Sequence, residues 1–232
     1  MERKIIITDD GSSTIHLPEW NEQYHSKHGA IQEAYHVFIK HGLQYFRDQN
    51  PNFEQPISIL EIGFGAGLNA FITFLEAEKH CINIDYVGVE AYPVAMAEIN
   101  QLNYPEALQE LGKTDVFKDL HKTKWEEPQN MSPFFILTKQ KKFFSEIDDT
   151  NKCHLIYFDA FGARVQPELW TEGIFQKMYN ALKNQGILVT YSAKGSVRRA
   201  MEAVGFKVER LPGPPGKREM LRATKHPTTQ NQ

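Results

Sequence analysis

The chain of 232 residues has 41% hydrophobic and 24% charged residues and a net charge of −3, as expected of one globular domain with a small appendage. Its two cysteines, Cys81 and Cys153, exclude a disulfide framework and lack metal-ligand spacing, so we expect reduced thiols and no metal. No apolar run reaches the roughly 20 residues of a transmembrane helix, and the N-terminus does not resemble a signal peptide, so we expect a cytoplasmic protein without membrane contact.

Residues 1–50 predict an N-terminal extension. Segments 4–8 and 13–17 flank an Asp-Gly turn, which indicates a small β-hairpin. Apolar residues at helical spacing then predict an amphipathic helix over 30–46. Pro51 and Pro56 mark the boundary to the next unit.

Residues 51–225 alternate between apolar runs and amphipathic segments, and 226–232 form a polar tail. Near-continuous apolar runs such as 154–158 are expected of strands that helices cover on both faces. The pattern predicts an α/β fold with a mostly parallel, seven-stranded sheet that ends in an antiparallel C-terminal hairpin. The predicted strands are 57–62, 84–89, 133–138, 154–158, 186–191, 206–211 and 218–224, and the predicted helices are 67–79, 93–102, 105–111, 171–183 and 194–204.

A glycine-rich turn follows the first of these strands. Gly63, Gly65 and Gly67 let the backbone approach a ligand closely, and Glu90 ends the next strand, where an acid accepts hydrogen bonds from ribose hydroxyls. A dinucleotide and S-adenosylmethionine both fit such a site. The early third glycine, and Glu61 before the first one, favour S-adenosylmethionine, whose amino acid moiety is cationic. A plain strand-to-helix turn is the alternative without function.

Asp159 ends another apolar strand, among the aromatic residues Tyr157, Phe158 and Phe161. A fixed carboxylate can orient an amine and accept its proton, and flanking aromatic rings can stack on a planar base. The alternative for Asp159 is a helix N-cap.

Charge is distributed unevenly along the chain. Residues 183–225 carry ten Lys or Arg against three Glu, whereas the remainder carries 16 basic and 26 acidic residues. A basic C-terminal third is typical of a polyanion-binding face, although such charges also occur as merely solvated surface.

Several motifs together resemble one family. Tyr-Phe-Asp-Ala-Phe-x-x-x-x-Gln-Pro-Glu-Leu-Trp spans 157–170, and Gly-Phe-Gly-Ala-Gly-Leu-Asn spans 63–69. Segments 24–38, 195–199 and 216–221 match as well, so the resemblance runs from about residue 8 to residue 224. The chain is similar to the methyltransferase part of the bifunctional enzyme that completes 5-methylaminomethyl-2-thiouridine in tRNA. The fold implied is that of the Rossmann-like class I S-adenosylmethionine-dependent methyltransferases.

The resemblance implies methyl transfer to the exocyclic amine of 5-aminomethyl-2-thiouridine at the wobble position, U34, of a tRNA bound through its anticodon stem-loop. It implies a stand-alone methyltransferase without the flavin-binding oxidase half, and a separate oxidase that acts upstream. The family's catalytic aspartate falls on Asp159, which also borders the cofactor. The remaining cofactor-binding positions implied are Glu61, Gly63, Gly65, Gly67, Asn69 and Glu90.

One departure concerns the adenine end of the cofactor. Family members often carry an acid after the third strand, whereas this chain reads Ile-Leu-Thr-Lys-Gln-Lys-Lys over 136–142. Gln140 is the candidate that takes part of this role.

Substrate contacts are predicted on both sides of the main fold. Phe161 and the N-terminal motif are candidates for the wobble base or cofactor, and basic C-terminal residues are candidates for tRNA phosphates. The candidates are Tyr24, Ser26, Glu33, Phe161, Arg198, Arg199, Lys217 and Arg218. Two other functions stay open: a small-molecule methyl- or aminopropyltransferase, and a non-catalytic nucleotide-binding partner protein.

Overall fold

The computed structural model describes residues 2–226, so the predicted polar tail lies outside the described residues except for its first one. The centre is an eight-stranded sheet in the order β10-β11-β9-β8-β4-β5-β7-β6, and a three-stranded sheet β1-β2-β3 precedes it. The strands are β1 (Lys4–Ile7), β2 (Ser13–Leu17), β3 (Glu22–Gln23), β4 (Ile57–Ile62), β5 (Ile84–Val89), β6 (Gln129–Ser132), β7 (Phe135–Gln140), β8 (Cys153–Phe158), β9 (Leu182–Thr190), β10 (Phe206–Pro212) and β11 (Glu219–Lys225). The α-helices are α1 (Ala30–Ala34), α2 (Tyr45–Gln49), α3 (Leu68–His80), α4 (Met96–Ile99), α5 (Tyr104–Ala107), α6 (Thr114–Lys122), α7 (Glu172–Ala181) and α8 (Gly195–Ala203).

The predicted fold class is confirmed. Strands β7, β5, β4, β8 and β9 run parallel to one another, and β11 and β10 add the antiparallel C-terminal hairpin. The prediction of seven strands was wrong, because β6 pairs antiparallel with β7 at the far edge. Its sequence, Gln-Asn-Met-Ser, is polar and largely half-exposed, so no apolar run marks it.

The helices differ from the predicted ones in number and length. Helix α6 was not predicted, although it buries Phe117 and Leu120 on one face. The helices predicted over 93–102 and 105–111 shorten to α4 and α5, of four residues each. Helices α3, α7 and α8 lie where the periodicity places them.

Strand β8 shows why the central strands are so apolar. All six of its residues are buried, and successive side chains point to opposite faces of the sheet. Tyr157 joins the core on one face, beside Phe38 and Tyr86, while Phe158 joins the core on the other, beside Trp170. These two rings therefore fill the cores, and the expectation that they stack on a base is wrong.

The predicted N-terminal hairpin and helix are both present. Strands β1 and β2 pair antiparallel across the Asp-Gly turn. The helical segment runs through α1 and α2, but a π-helix, Tyr35–Gln44, forms its middle. A Cβ on Gly42 would lie 3.2 Å from a ring carbon of Tyr157, so this glycine lets the segment pack closely on the sheet. The predicted domain boundary near residue 50 stays a prediction.

Three predicted groups meet at one edge of the sheet. Gly63 follows β4, Glu90 follows β5 and Asp159 follows β8, and these three strands are neighbours. The carboxyl ends of parallel strands in such a sheet form the crevice where ligands bind. The fold therefore places the glycine turn, the acid and the aspartate around one site.

Candidate active site

A cavity of about 840 Å³ opens at this carboxyl edge. Gly63, Gly65, Glu90 and Asp159 line it together with residues of the N-terminal extension. Its volume falls within the range of about 300–1,000 Å³ that is usual for small-molecule and cofactor sites. Four residues predicted from separate parts of the sequence therefore border one ligand-sized cavity.

The glycine turn is left-handed at all three glycines, with φ of +92° at Gly63, +47° at Gly65 and +71° at Gly67. A Cβ on Gly63 would lie 2.6 Å from the backbone oxygen of Asp159, and one on Gly67 would lie 2.7 Å from Nε2 of His121. These glycines are thus required by close packing within the protein as well as by a ligand. The turn passes so near to Asp159 that the two motifs form a single structure.

Glu90 is bound to the glycine turn. Its Oε2 accepts a hydrogen bond of 2.9 Å from the Gly65 N–H, and its Oε1 accepts one of 2.8 Å from the Tyr92 N–H. A carboxylate has about four lone-pair positions, so each oxygen retains capacity for a ribose hydroxyl. The predicted role of Glu90 is compatible with this geometry.

Asn69 connects the two other carboxyl groups of the site. Its Nδ2 donates to Oε1 of Glu61 at 3.0 Å and to Oδ2 of Asp159 at 2.8 Å. Because both partners are acceptors, the amide orientation is determined and Oδ1 points away. Oδ1 of Asn69 and Oε2 of Glu61 are buried, and neither has a hydrogen-bond partner within residues 2–226. Asn69 lines the cavity, so its unpaired Oδ1 suits the ammonium group of an amino acid moiety. Glu61 does not line the cavity, and its predicted contact with the cofactor stays a prediction.

Burial controls the protonation of both acids. Burial raises the pKa of Glu61 well above its usual value, the Asn69 hydrogen bond lowers it, and the charge of Asp159 raises it further. The pKa of Asp159 rises to about 7, chiefly through burial and then through the charge of Glu33, against lowering effects of Asn69 and Lys217. Asp159 therefore exchanges its proton near neutral pH, which suits a group that accepts a proton from an amine. No helix begins directly after Asp159, so the N-cap interpretation is wrong.

Aromatic side chains surround Asp159 on the side of the N-terminal extension. The Phe161 ring contacts the rings of Tyr24 and Trp20 edge to face, at centroid distances of 4.9 and 5.8 Å, and all three line the cavity. His25 also lines it, and burial followed by the Lys217 charge lowers the pKa of His25 to about 4. We call this part of the cavity, lined by Trp20, Tyr24, His25 and Phe161, the aromatic chamber. The Arg3 guanidinium lies 5.9 Å from the centre of the Tyr24 ring and also lines the cavity.

Two exposed aromatic residues border the other end of the cavity. Tyr92 is 64% exposed and Phe143 is 53% exposed, and their rings lie 5.9 Å apart. Large exposed rings at a cavity provide stacking surfaces for a planar group such as adenine. The sequence analysis missed both, although each follows a strand tip: Tyr92 lies two residues after Glu90, and Phe143 lies three residues after Gln140.

Gln140 ends β7 beside Glu90, and its backbone oxygen accepts a hydrogen bond of 3.0 Å from the Glu90 N–H. Its side-chain Oε1 is buried and has no hydrogen-bond partner within the described part of the chain. Gln140 does not line the cavity, whereas Phe143 does. Its role at the adenine end stays a prediction.

Comparison with known proteins places this cavity in a family. The profile of a family described as S-adenosyl-L-methionine-dependent methyltransferase matches residues 103–226, which is more than half of the chain and includes Asp159. The chain belongs to this family. S-adenosylmethionine is accordingly its cofactor, and the dinucleotide alternative was wrong.

Several curated proteins are similar in sequence to this methyltransferase over most of its length. The tRNA 5-methylaminomethyl-2-thiouridine biosynthesis bifunctional protein MnmC of Leptospira borgpetersenii is 27% identical over 87% of this chain and 32% of its own length. The MnmC protein of Leptospira interrogans is 29% identical over 88% and 32%, and that of Cupriavidus metallidurans is 27% identical over 97% and 34%. The chain thus spans about a third of the length of these curated relatives.

Solved structures share the fold of the methyltransferase. MNMC2 from Aquifex aeolicus aligns with a TM-score of 0.73 at 24% identity, over 97% of this chain and 72% of that one. Spermidine synthase from Thermotoga maritima aligns with a TM-score of 0.51 at 16% identity, over 96% and 72%. Both similarities concern the fold.

Two basic residues that were predicted to bind tRNA phosphates form ion pairs with glutamates of the protein instead. Lys217 forms an ion pair with buried Glu33, whose Oε1 accepts a hydrogen bond of 3.1 Å from the Ser26 N–H. Arg198 pairs with Glu202 at 2.9 Å, one helical turn away. Among the predicted basic contacts, Arg199 and Arg218 are exposed.

Residues 2–226 contain no cluster of three or more His, Cys, Asp or Glu side chains that is arranged to hold a metal ion. No helix within that range has the length and apolar character needed to cross a membrane.

Proposed function

We propose that this methyltransferase transfers the methyl group of S-adenosylmethionine to the exocyclic amine of 5-aminomethyl-2-thiouridine at the wobble position of tRNA. The observation that carries the proposal is Asp159, held by Asn69 at the tip of β8 and facing an aromatic chamber beside the glycine turn. The similarity to proteins of 5-methylaminomethyl-2-thiouridine biosynthesis, over nearly the whole chain, supports the choice of acceptor.

The residues present fit the cofactor at three points. Glu90 is positioned for the ribose hydroxyls, and the unpaired Oδ1 of Asn69, whose amide Glu61 helps to orient, suits the ammonium group. Tyr92 and Phe143 offer rings to the adenine. When bound, S-adenosylmethionine supplies an electrophilic methyl group to the acceptor amine.

Asp159 then acts on the acceptor. An alkylamine is mostly protonated near neutral pH, and its lone pair becomes nucleophilic only when that proton is removed. The ionised carboxylate of Asp159 orients the amine by hydrogen bonding and accepts its proton, and its pKa of about 7 leaves a substantial ionised fraction at neutral pH. Phe161 and Tyr24 hold the uracil ring by stacking or edge contact.

The tRNA is bound through its anticodon stem-loop. Arg199 and Arg218, both exposed, are the strongest candidates for phosphate contacts, and Arg198 and Lys217 join them only by releasing their acidic partners. A tRNA substrate supports the cytoplasm as the compartment. An oxidase that acts upstream on the same nucleotide is proposed as a functional partner on the resemblance alone.

The decisive experiment incubates the purified protein with radiolabelled S-adenosylmethionine and tRNA from cells that lack this gene, followed by nucleoside analysis. Label in 5-methylaminomethyl-2-thiouridine is expected from the wild type, and from the exposed-carboxylate control Asp119→Asn, but not from Asp159→Ala. Label in another nucleoside would support a different tRNA reaction, and label in an added polyamine mixture but not in tRNA would support the small-molecule reaction. Cofactor binding without turnover on any tRNA would support a non-catalytic binding protein.

A further inference from the structure

Two segments that are far apart in the sequence meet near the strand tip that carries Asp159. Glu33, in α1, and Lys217, in the turn between β10 and β11, are 184 positions apart and form an ion pair. Glu33 is 4% exposed, and the Ser26 N–H donates to its Oε1. The charged end of Lys217 lies 3.9 Å from the centre of the Tyr191 ring. The carboxylate of the pair is therefore removed from water, while the Lys217 side chain is 29% exposed.

The pair is connected to the catalytic strand tip. The Lys217 ammonium lies over the ring of Tyr191. The hydroxyl of the same tyrosine donates a hydrogen bond of 2.8 Å to the backbone oxygen of Ala160. Ala160 directly follows Asp159 and lines the cavity. Both charges also act on the Asp159 carboxyl, since Glu33 raises its pKa and Lys217 lowers it.

The turn that carries Lys217 is itself held against the N-terminal extension. The backbone oxygen of Pro212 accepts a hydrogen bond of 2.8 Å from Nε2 of His36. A Cβ on Gly216 would overlap the His28 ring, so this glycine is needed for the contact. The position of the Lys217 charge relative to Asp159 is thus determined by packing.

Stability alone is a weak reason for such a pair. The desolvation cost of a buried ion pair often equals or exceeds its Coulombic gain, and apolar replacements are frequently as stable. Removal of one partner, by contrast, leaves an uncompensated charge. Here that charge would act directly on the group that accepts the substrate proton.

We propose that Glu33 and Lys217 are positioning residues whose opposite charges, held beside Tyr191 outside the cavity lining, set the pH at which Asp159 becomes an ionised base. The inference rests on the proposed role of Asp159, and neither residue contacts the cavity itself. Four further ionisable groups are coupled to Asp159, because its charge raises their pKa values, and they stay unchanged in the variants that test the pair. They are Glu61 on β4, Tyr86 on β5, Tyr104 on α5 and Tyr191 after β9.

The test uses three variants of the full chain: Glu33→Gln, Lys217→Met and the double substitution. Gln keeps an acceptor for the Ser26 N–H, and Met keeps an apolar stem against Tyr191. The protonation of Asp159 is followed by NMR of protein labelled with ¹³C at aspartate carboxyl carbons, and its resonance is assigned by its loss in Asp159→Asn. The pH dependence of methyl transfer to tRNA is measured in parallel.

Glu33→Gln should lower the Asp159 titration midpoint by about 0.5–1 pH unit, Lys217→Met should raise it by a similar amount, and the double variant should return close to the wild-type value. The acid limb of the rate profile should move in the same directions. Shifts of equal sign, or no shift, in variants that still bind S-adenosylhomocysteine would overturn the proposal. If one single variant fails to fold, the proposal is supported when the other single variant shifts the midpoint in its expected direction and the double variant keeps the wild-type midpoint. Any other combination refutes it.

Failure of the proposed function gives a different result. If the wild type does not methylate tRNA, the rate profile is lost but the carboxyl titration still reports on the charge pair. Opposite NMR shifts without tRNA methylation would therefore reject the acceptor and keep the electrostatic role of Glu33 and Lys217.

Discussion

Asn69 should control both the pH dependence and the rate of the reaction. In Asn69→Leu the carboxyl of Asp159 loses a hydrogen bond of 2.8 Å, and Glu61 loses one of 3.0 Å. A hydrogen bond to a charged group contributes about 1.5–3 kcal/mol, so its loss raises the pKa of Asp159 by about one unit or more. From a starting value of about 7, the ionised fraction at pH 7 falls from roughly a half to below about a tenth.

The expected result is a drop of about fivefold or more in kcat at pH 7, with recovery as the pH approaches 9. The assay is the pH profile of kcat at saturating tRNA and S-adenosylmethionine. Thr73→Val is the matched control, because Thr73 lies one turn further along α3 and its hydroxyl donates to the backbone oxygen of Asn69 at 2.6 Å, not to either carboxyl group. An acid limb that stays in place in Asn69→Leu, or that moves equally in Thr73→Val, would refute the reasoning.

Three further substitutions test other parts of the site. Glu90→Ala removes the acceptor of the Gly65 N–H and should weaken S-adenosylhomocysteine binding by about 10- to 100-fold in calorimetry; unchanged affinity would exclude Glu90 from the cofactor site. Gly63→Ala forces a Cβ to 2.6 Å from the Asp159 backbone oxygen at a φ of +92°, and should cost about 1–3 kcal/mol in thermal unfolding, whereas Gly112→Ala, with open space around it, should cost little. Asp159→Asn should stabilise the apoprotein by about 1–2 kcal/mol at pH 8. The pKa of Asp159 is about 7 in the folded protein and 3.8 in the unfolded chain, so between these pH values the unfolded chain binds fewer protons. The wild-type protein therefore loses stability as the pH rises through this range. This gain should vanish near pH 4, and a gain independent of pH would contradict the raised pKa.

Local sequence patterns determined the main elements of the site. Strands β4, β5 and β8 were marked by apolar runs, because helices cover both faces of the sheet and leave no polar alternation. Gly63 and Glu90 were recognisable from the sequence because each pattern is local. A tight backbone turn beside a ligand requires glycine, and an acid for the ribose directly follows the end of a strand. Asp159 was predicted from the same kind of position.

Elements with weak local signals were missed or misjudged. Strand β6 is short and polar and exists only by pairing with β7, so its own residues do not predict it. Tyr157 and Phe158 looked like ring platforms beside Asp159, but alternation along β8 sends them into opposite cores. Phe143 lines the cavity because the loop after β7 brings it there, and no local sequence pattern predicts the path of that loop.

The sequence by itself determined the glycine turn, Glu90 and Asp159, because each depends on backbone geometry at the end of one strand. Only the tertiary structure decided that Lys217 lies against Glu33, and that Asn69 joins Glu61 to Asp159. The basic composition of the C-terminal third suggested that Lys217 binds phosphate. Composition cannot show that Glu33, which is distant in the sequence, lies next to it. Packing between the N-terminal extension and the C-terminal hairpin makes that choice, and with it sets the electrostatic surroundings of the acid that the sequence had already identified.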